Sequence, residues 1–268
     1  MRKTTAVRHD CVSIQYVHDV AADLKPPAPP RRNRLVRLAI VAAGLVVAAA
    51  IAIVVIALRP HQSQPTAPRV SGLPASVPTS LANLMSLTPV PGQAAPAFTL
   101  TDQAGHTLSL ASLKGHVVVL EFMDPHCTDI CPIVSKEFID AYHDLGSAAP
   151  HMVFLAVNVN AYHHGVADVA AFTREQQLNT IPSWHFLTGP VASLQAVWQA
   201  YHVDVYAPSP NADIVHTSVV YFIDPNGKER FAANPMVDHT SNGTSYLPLA
   251  QQASWGRGIA LIVRQLAH

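Results

Sequence analysis

The run Leu38–Leu58, LAIVAAGLVVAAAIAIVVIAL, leaves this chain few ways to fold. It carries no charge and no strong polar group, and it shows no polar face. At about 1.5 Å of rise per residue it is long enough, as a helix, to cross a hydrocarbon core roughly 30 Å thick. Uniform apolarity suits such a helix, because its backbone groups satisfy one another inside the segment. Arg31, Arg32, Arg34 and Arg37 stand just before the run, and only Arg59 closely follows it. The positive-inside rule then keeps the N-terminus in the cytoplasm and carries everything after Leu58 outside. The run exceeds the usual signal-peptide h-region of about 7–15 residues, and it ends in Arg59-Pro60 without a small-x-small site, so an uncleaved single-pass anchor in the cell membrane is expected.

The chain therefore divides into a cytoplasmic tail (residues 1–34), an anchor (35–58), a linker rich in Pro, Ser, Ala and Thr (59–91) and an extracytoplasmic domain (92–268). The linker composition favours a tether, with a short helix over Ser80–Leu87. The formal net charge is zero and no basic stripe is present, which argues against nucleic acid as a partner.

Within the domain, apolar runs alternate with amphipathic ones. Ala97–Asp102 and His106–Leu110 flank a Gly105 turn as a hairpin. His116–Phe122 and His151–Val159 are continuous apolar runs of buried-strand type. Ile133–Leu145, Val166–Leu178, Val191–Tyr201 and Leu247–Leu266 have helical period, and Ser183–Gly189 is a short strand. His216–Phe231 is a hairpin turned at Pro225-Asn226-Gly227. Strand, helix and strand with a parallel crossover, followed by a hairpin and a helix, describe an α/β sandwich of thioredoxin type, preceded by one transmembrane helix.

The loop after the first central strand reads DPHCTDICPIV, Asp124–Val134. It holds Cys127 and Cys131 and leads into a helix with Pro132 in its first turn, where a missing N–H costs nothing. A helix N-terminus stabilises a nearby thiolate, so Cys131 at least should be more reactive than a core cysteine. The loop also lies at the C-terminal end of a strand, where open α/β sheets place their sites. Three chemistries are open to the pair. A structural disulfide would close a very short loop and stabilise little. A redox couple is feasible, although the thioredoxin spacing is C-x-x-C. A peroxidatic frame, Pro-x-x-x-Thr-x-x-Cys, has Thr128 in place but Asp124 where the proline belongs. A metal site would need more than two thiolates, and an imidazole would complete a soft set.

Of fifteen histidines, His216 stands out, at the start of the strand HTSVVYF that should face the cysteine loop. His126 adjoins Cys127, but neighbours on an extended chain point to opposite sides. His239 with Met236 is a further soft pair. Cys11, on the cytoplasmic side, should be an inert free thiol.

DPHCTDICP, the distal DIVHTSVVYFIDPNGK, APAFTLTDQAG and SLASLKGHVVVLEF together resemble the Sco/SenC family of membrane-anchored, thioredoxin-fold copper proteins. The resemblance spans roughly Gln93–Ile262. It implies that Cys127, Cys131 and His216 bind one copper ion, as Cu(I) or Cu(II), and that Asp129 matches the acidic position of the family's loop. It also implies a part in assembling the binuclear copper A site of cytochrome c oxidase subunit II, with an upstream copper donor. Copper delivery is one form of that role. Reduction of the oxidase cysteines by the redox pair Cys127/Cys131, as a thiol-disulfide oxidoreductase, is the other. Two departures stand out: Thr128 replaces a common proline, and His126 adds an imidazole that the family does not require. No proline directly precedes His216, unlike an ordinary thioredoxin.

Overall fold

A computed structural model describes residues 71–268. Leu38–Leu58 lies outside them, and no helix among the described residues is long and apolar enough to cross a membrane.

A six-stranded sheet forms the centre, in the order β1-β10-β9-β4-β5-β6. Strand β4 (Val117–Met123) pairs in parallel with β5 (Met152–Asn158), and β5 with β6 (Trp184–Leu187). On its other side β4 pairs antiparallel with β9 (Val220–Ile223), which pairs with β10 (Glu229–Ala233). Helices α2 (Ile130–Leu145) and α3 (Val166–Glu175) make the parallel crossovers. Helix α4 (Val191–Ala200) follows β6, and α5 (Leu249–Leu266) closes the domain. Both central strands are buried along their whole length, as their unbroken apolar runs require.

Successive side chains of β4 alternate between two cores. Val117, Val119 and Met123 pack with Phe138 of α2 and with Trp255 and Ile259 of α5. Val118, Leu120 and Phe122 pack with Leu194 and Trp198 of α4 and with Leu100 of the hairpin β2–β3 (Thr99–Thr101, Thr107–Ser109). Strand period alone explains the split. Glu121 falls on the α2 face, inside the first core. Helices α2 and α5 approach closely at Gly256: a Cβ there would lie 2.7 Å from Asp140 Cβ.

Two expectations need correction. Residues 71–91, taken as the end of a tether, pack onto the domain. Helix α1 (Thr79–Leu84) and the turns before and after it bury Val77, Leu81 and Met85 in the α5 core, and β1 (Thr88–Pro89) pairs with β10. Apolar side chains at helical spacing outweigh the loop-like composition around them. His216, expected to begin the strand HTSVVYF, belongs instead to a separate two-residue strand, β8 (Val215–His216), paired with β7 (Val205–Tyr206). The sheet strand starts only at Val220.

Candidate metal and redox site

The loop between β4 and α2 opens onto a cleft of about 810 Å³. Cys127, Asp129 and His126 line one side, the segment Asn211–His216 another, and Gly243–Ser245 a third. The last of these belongs to the small hairpin β11–β12 (Asp238–His239, Ser245–Tyr246).

Helix α2 begins at Ile130, earlier than its apolar period suggests, so Cys131 sits in its first turn and Cys127 in the loop just before its N-cap Asp129. Both are free thiols. The Cys131 backbone N–H donates to Cys127 Sγ at 3.4 Å. The two environments differ sharply. Cys127 is partly exposed, and its pKa is lowered to about 7. The hydrogen bond from the Cys131 thiol is the largest influence; burial opposes it, and the backbone N–H groups of Cys131 and Asp129 add to it. Cys131 is only 2% exposed. Its thiol is pushed well up by its hydrogen bond to Cys127, by burial, and by the nearby Cys127 and Glu121. The expectation that Cys131 would gain reactivity from the helix is therefore reversed. The activated sulfur is Cys127, which receives the N–H groups, whereas Cys131 points into the core.

His216 lines the cleft with Cys127. Its Nδ1 lies 3.0 Å from the Thr217 carbonyl oxygen. A carbonyl only accepts, so Nδ1 carries the proton and Nε2 keeps a free lone pair. Desolvation lowers the pKa of His216, outweighing the hydrogen bond to Thr217 and the charge of Asp124, so the ring is neutral at pH 7. A neutral ring oriented through its other nitrogen is the form a metal ligand takes. Cys127 and His216 share the cleft while Cys131 lies behind it, and Cys127, Cys131 and His216 are not drawn within 4.8 Å of one another as a ligand set.

His126 turns its Nε2 to Asp168 Oδ1, 3.5 Å away, and stacks on His163. His239 faces Asp129 at 3.7 Å, and neither it nor Met236 lines the cleft. Asp129 occupies the N-cap of α2 without capping it. Its Oδ1 instead accepts from Ser245 Oγ and so ties the loop to hairpin β11–β12.

Two features escape the sequence pattern. Glu121 and Glu137 are buried at 2% and 1% exposure, and both Glu137 carboxyl oxygens lack a hydrogen-bond partner. Burial raises both: Glu137 to about 9, with the charge of Asp140 adding, and Glu121 well upward, with Glu137 adding. The second feature is a network behind the loop. Asp124 Oδ1 accepts from the His126 backbone N–H at 2.9 Å and from Asn160 Nδ2 at 2.8 Å. The sequence signal was available in DPH and NVNAYHH, where Asp and Asn favour such local turns.

Residues 88–241 match the SCO1/SenC family model. The chain belongs to the SCO1/SenC family. It is 26% identical over 133 residues to the SCO1 protein homolog of Bacillus subtilis, covering 49% of this chain and 68% of that one. A Mycobacterium tuberculosis protein described as a peroxiredoxin is 30% identical over 139 residues, covering 52% and 80%. Among solved structures, Arabidopsis thaliana ScoI with copper bound aligns with a TM-score of 0.51 and 20% identity, over 65% of this chain and 99% of that one. The α/β thioredoxin-like fold expected from the order of elements is thereby established. Within it, the buried Cys131 with its raised pKa is unsuited to peroxidatic attack, which needs an accessible thiolate.

Proposed function

We propose that this SCO1/SenC protein is an extracytoplasmic copper chaperone. It binds one copper ion through Cys127, Cys131 and His216 and supports assembly of the copper A site in subunit II of cytochrome c oxidase. The observation that carries the reading is a free thiol, Cys127, and a neutral imidazole, His216, whose Nε2 lone pair is free, both lining one cleft, with the second free thiol, Cys131, buried directly behind Cys127. Two thiolates favour Cu(I), and the imidazole helps to hold Cu(II). Copper binding draws the three ligands together and displaces the Cys131 proton, so affinity rises with pH. The copper-bound Arabidopsis relative and the family membership support the choice of metal. The segment Leu38–Leu58 anchors the chain in the cell membrane with its N-terminus inside. Anchoring raises the effective concentration of the site beside a membrane-embedded oxidase.

The test is an anaerobic Cu(I) titration of the reduced full chain against a non-thiol chelator. The parent is expected to hold one copper, and Cys127→Ser and His216→Ala each to weaken it by about tenfold or more, roughly 1.4 kcal/mol. Unchanged binding by His216→Ala removes the imidazole from the set. Orientation is tested in intact cells with a membrane-impermeant thiol reagent: Cys127 is labelled and Cys11 protected if the domain lies outside.

One observation favours a second reading, thiol-disulfide exchange. An accessible sulfur with a pKa of about 7 beside a buried partner that stays protonated is the arrangement of an attacking and a resolving thiol. Exchange needs no imidazole ligand, so full reductase activity in His216→Ala would favour this reading over delivery.

A further inference from the structure

His126, His163 and Asp168 come from three separate segments: the loop after β4, the loop after β5 and the first turn of α3. Their ligand atoms all lie within 4.8 Å of one another, the one such group of three or more among the described residues. The two imidazole rings stack with centroids 3.8 Å apart, and His126 Nε2 is 3.5 Å from Asp168 Oδ1.

The cluster is held from behind. Asp124 Oδ1 fixes the His126 backbone and also accepts from Asn160 Nδ2. Asn160 Oδ1 in turn accepts from the backbone N–H of His163 at 2.9 Å. Asn158 Nδ2 donates to the His163 carbonyl, also at 2.9 Å. Asp124, Asn158 and Asn160 are all buried, so one buried polar network sets the spacing of both imidazole-bearing loops. Asp168 is oriented too: its Oδ2 accepts from the Gly165 N–H at 2.9 Å, which leaves Oδ1 turned to His126.

We propose that His126, His163 and Asp168 form a second metal site, separate from the thiols, for one divalent first-row transition ion. Two imidazoles and one carboxylate are a borderline donor set, suited to Cu(II) or Zn(II) and poor for Cu(I). Three protein ligands with an open position are sufficient for such an ion. Donors 2.0–2.1 Å from a tetrahedral centre stand roughly 3.3 Å apart. An imidazole nitrogen donates in the plane of its ring, so the two rings, now 22° from parallel, unstack and turn when both aim at one ion. The side chains of His126 and Asp168 are 49% and 30% exposed, which leaves those rotations free and the open position reachable from solvent. His126 directly precedes Cys127, so an ion held here sits at the shoulder of the thiol loop, within reach of an arriving divalent metal and without competing for sulfur.

The test removes every thiol, so its failure is distinct from failure of the thiolate reading. The full chain carrying Cys11→Ser, Cys127→Ser and Cys131→Ser is titrated with Zn(II) against a chromophoric chelator. One equivalent is expected to bind. His163→Gln and Asp168→Asn in that background should each weaken it at least about tenfold, whereas His106→Gln, on the distant β2–β3 turn, should leave it unchanged. Near-UV circular dichroism of each variant separates lost ligands from lost fold, and the two conservative replacements give independent readings. Equal binding by folded His163→Gln and Asp168→Asn chains, or no bound equivalent in the thiol-free parent, overturns the site and leaves a stacked His–His–Asp contact only.

Discussion

The floor and the rim of the cleft handle charge in opposite ways. The floor is the core behind the thiol loop: Cys131, Glu121 and Glu137 do not line the cleft itself, and all three are almost fully buried and pushed toward their neutral forms. The rim carries Cys127, His126 and Asp129, each with some access to solvent. Only three residues separate the two cysteines, one before the helix and one in its first turn, yet one is shifted toward the thiolate and the other away from it. The difference teaches that the first turn of α2 does not activate thiols by proximity alone. The hydrogen bond between the two thiols sets the polarity first, with Cys131 donating to Cys127; the backbone N–H groups then add to the activation of Cys127, and burial adds to the suppression of Cys131.

The sharpest way to break this contrast is alkylation. At pH 7 about half of Cys127 is thiolate, against less than about one part in a hundred for a thiol whose pKa lies well above 9. In the reduced parent chain, iodoacetamide should therefore modify Cys127 at least about 50-fold faster than Cys131, read peptide by peptide by mass spectrometry, with burial of Cys131 widening the gap. Cys131→Ala removes the thiol that donates to Cys127, so in that chain Cys127 should show a pKa above about 7 if that bond is the main cause. Comparable rates would show that the floor opens readily.

The second test concerns stability. Glu137 has a folded pKa of about 9 and an ordinary value of 4.5. Below pH 4.5 both the folded and the unfolded chain hold this proton, and no penalty arises. Above it the unfolded chain releases the proton while the folded chain keeps it, so stability is lost steadily as pH rises toward 9. By pH 7 the loss amounts to about 3 kcal/mol at most. Glu137→Gln should remove this slope, so its urea midpoint should exceed the parent's at pH 8 by more than at pH 5. A pH-independent difference between the two would mean that Glu137 is ionised in place. A smaller effect, about 1–3 kcal/mol of destabilisation, is expected for Gly256→Ala, because the added methyl meets Asp140 across the α2–α5 contact that covers the floor.

The frame of this contrast was legible in the chain itself, and its polarity was not. The unbroken apolar runs of β4 and β5 and the helical period after them place the loop at a strand end. Pro132 and the Asn226-Gly227 turn mark their local structures as expected. Burial of one cysteine and exposure of the other depends on where α2 begins, and the apolar period misses its first three residues because Ile130, Cys131 and Pro132 look like loop. Glu121 sits inside an apolar run, so only the strand's alternation, combined with knowledge of what packs on each face, pairs it with Glu137. The meeting of His126 with His163 and Asp168 is a tertiary event among two loops and the first turn of α3, and no periodicity encodes it. The buried Asp124–Asn160 contact that brings it about spans two separate segments.

Hairpin β11–β12 supplies the smallest test, and the one that decides how the rim is kept open. It touches the thiol loop through Asp129, which accepts from Ser245 and faces His239. Both side chains of the His239–Asp129 pair are more than half exposed, so the pair is weak and Asp129→Asn should change global stability by less than about 0.5 kcal/mol. Its effect should be local. The hairpin tip keeps its own turn, with the Gly243 N–H donating to the Thr240 carbonyl at 2.9 Å, so it should swing as a unit rather than unravel. Because Gly243–Ser245 line the cleft beside Cys127, Asp129→Asn should raise the alkylation rate of Cys127 a few-fold while the Cys131 rate stays unchanged. If the rates at both sulfurs rise together, the hairpin braces the floor as well as the rim. If neither moves, the hairpin holds its place without Asp129, and access to Cys127 is set by the loop alone.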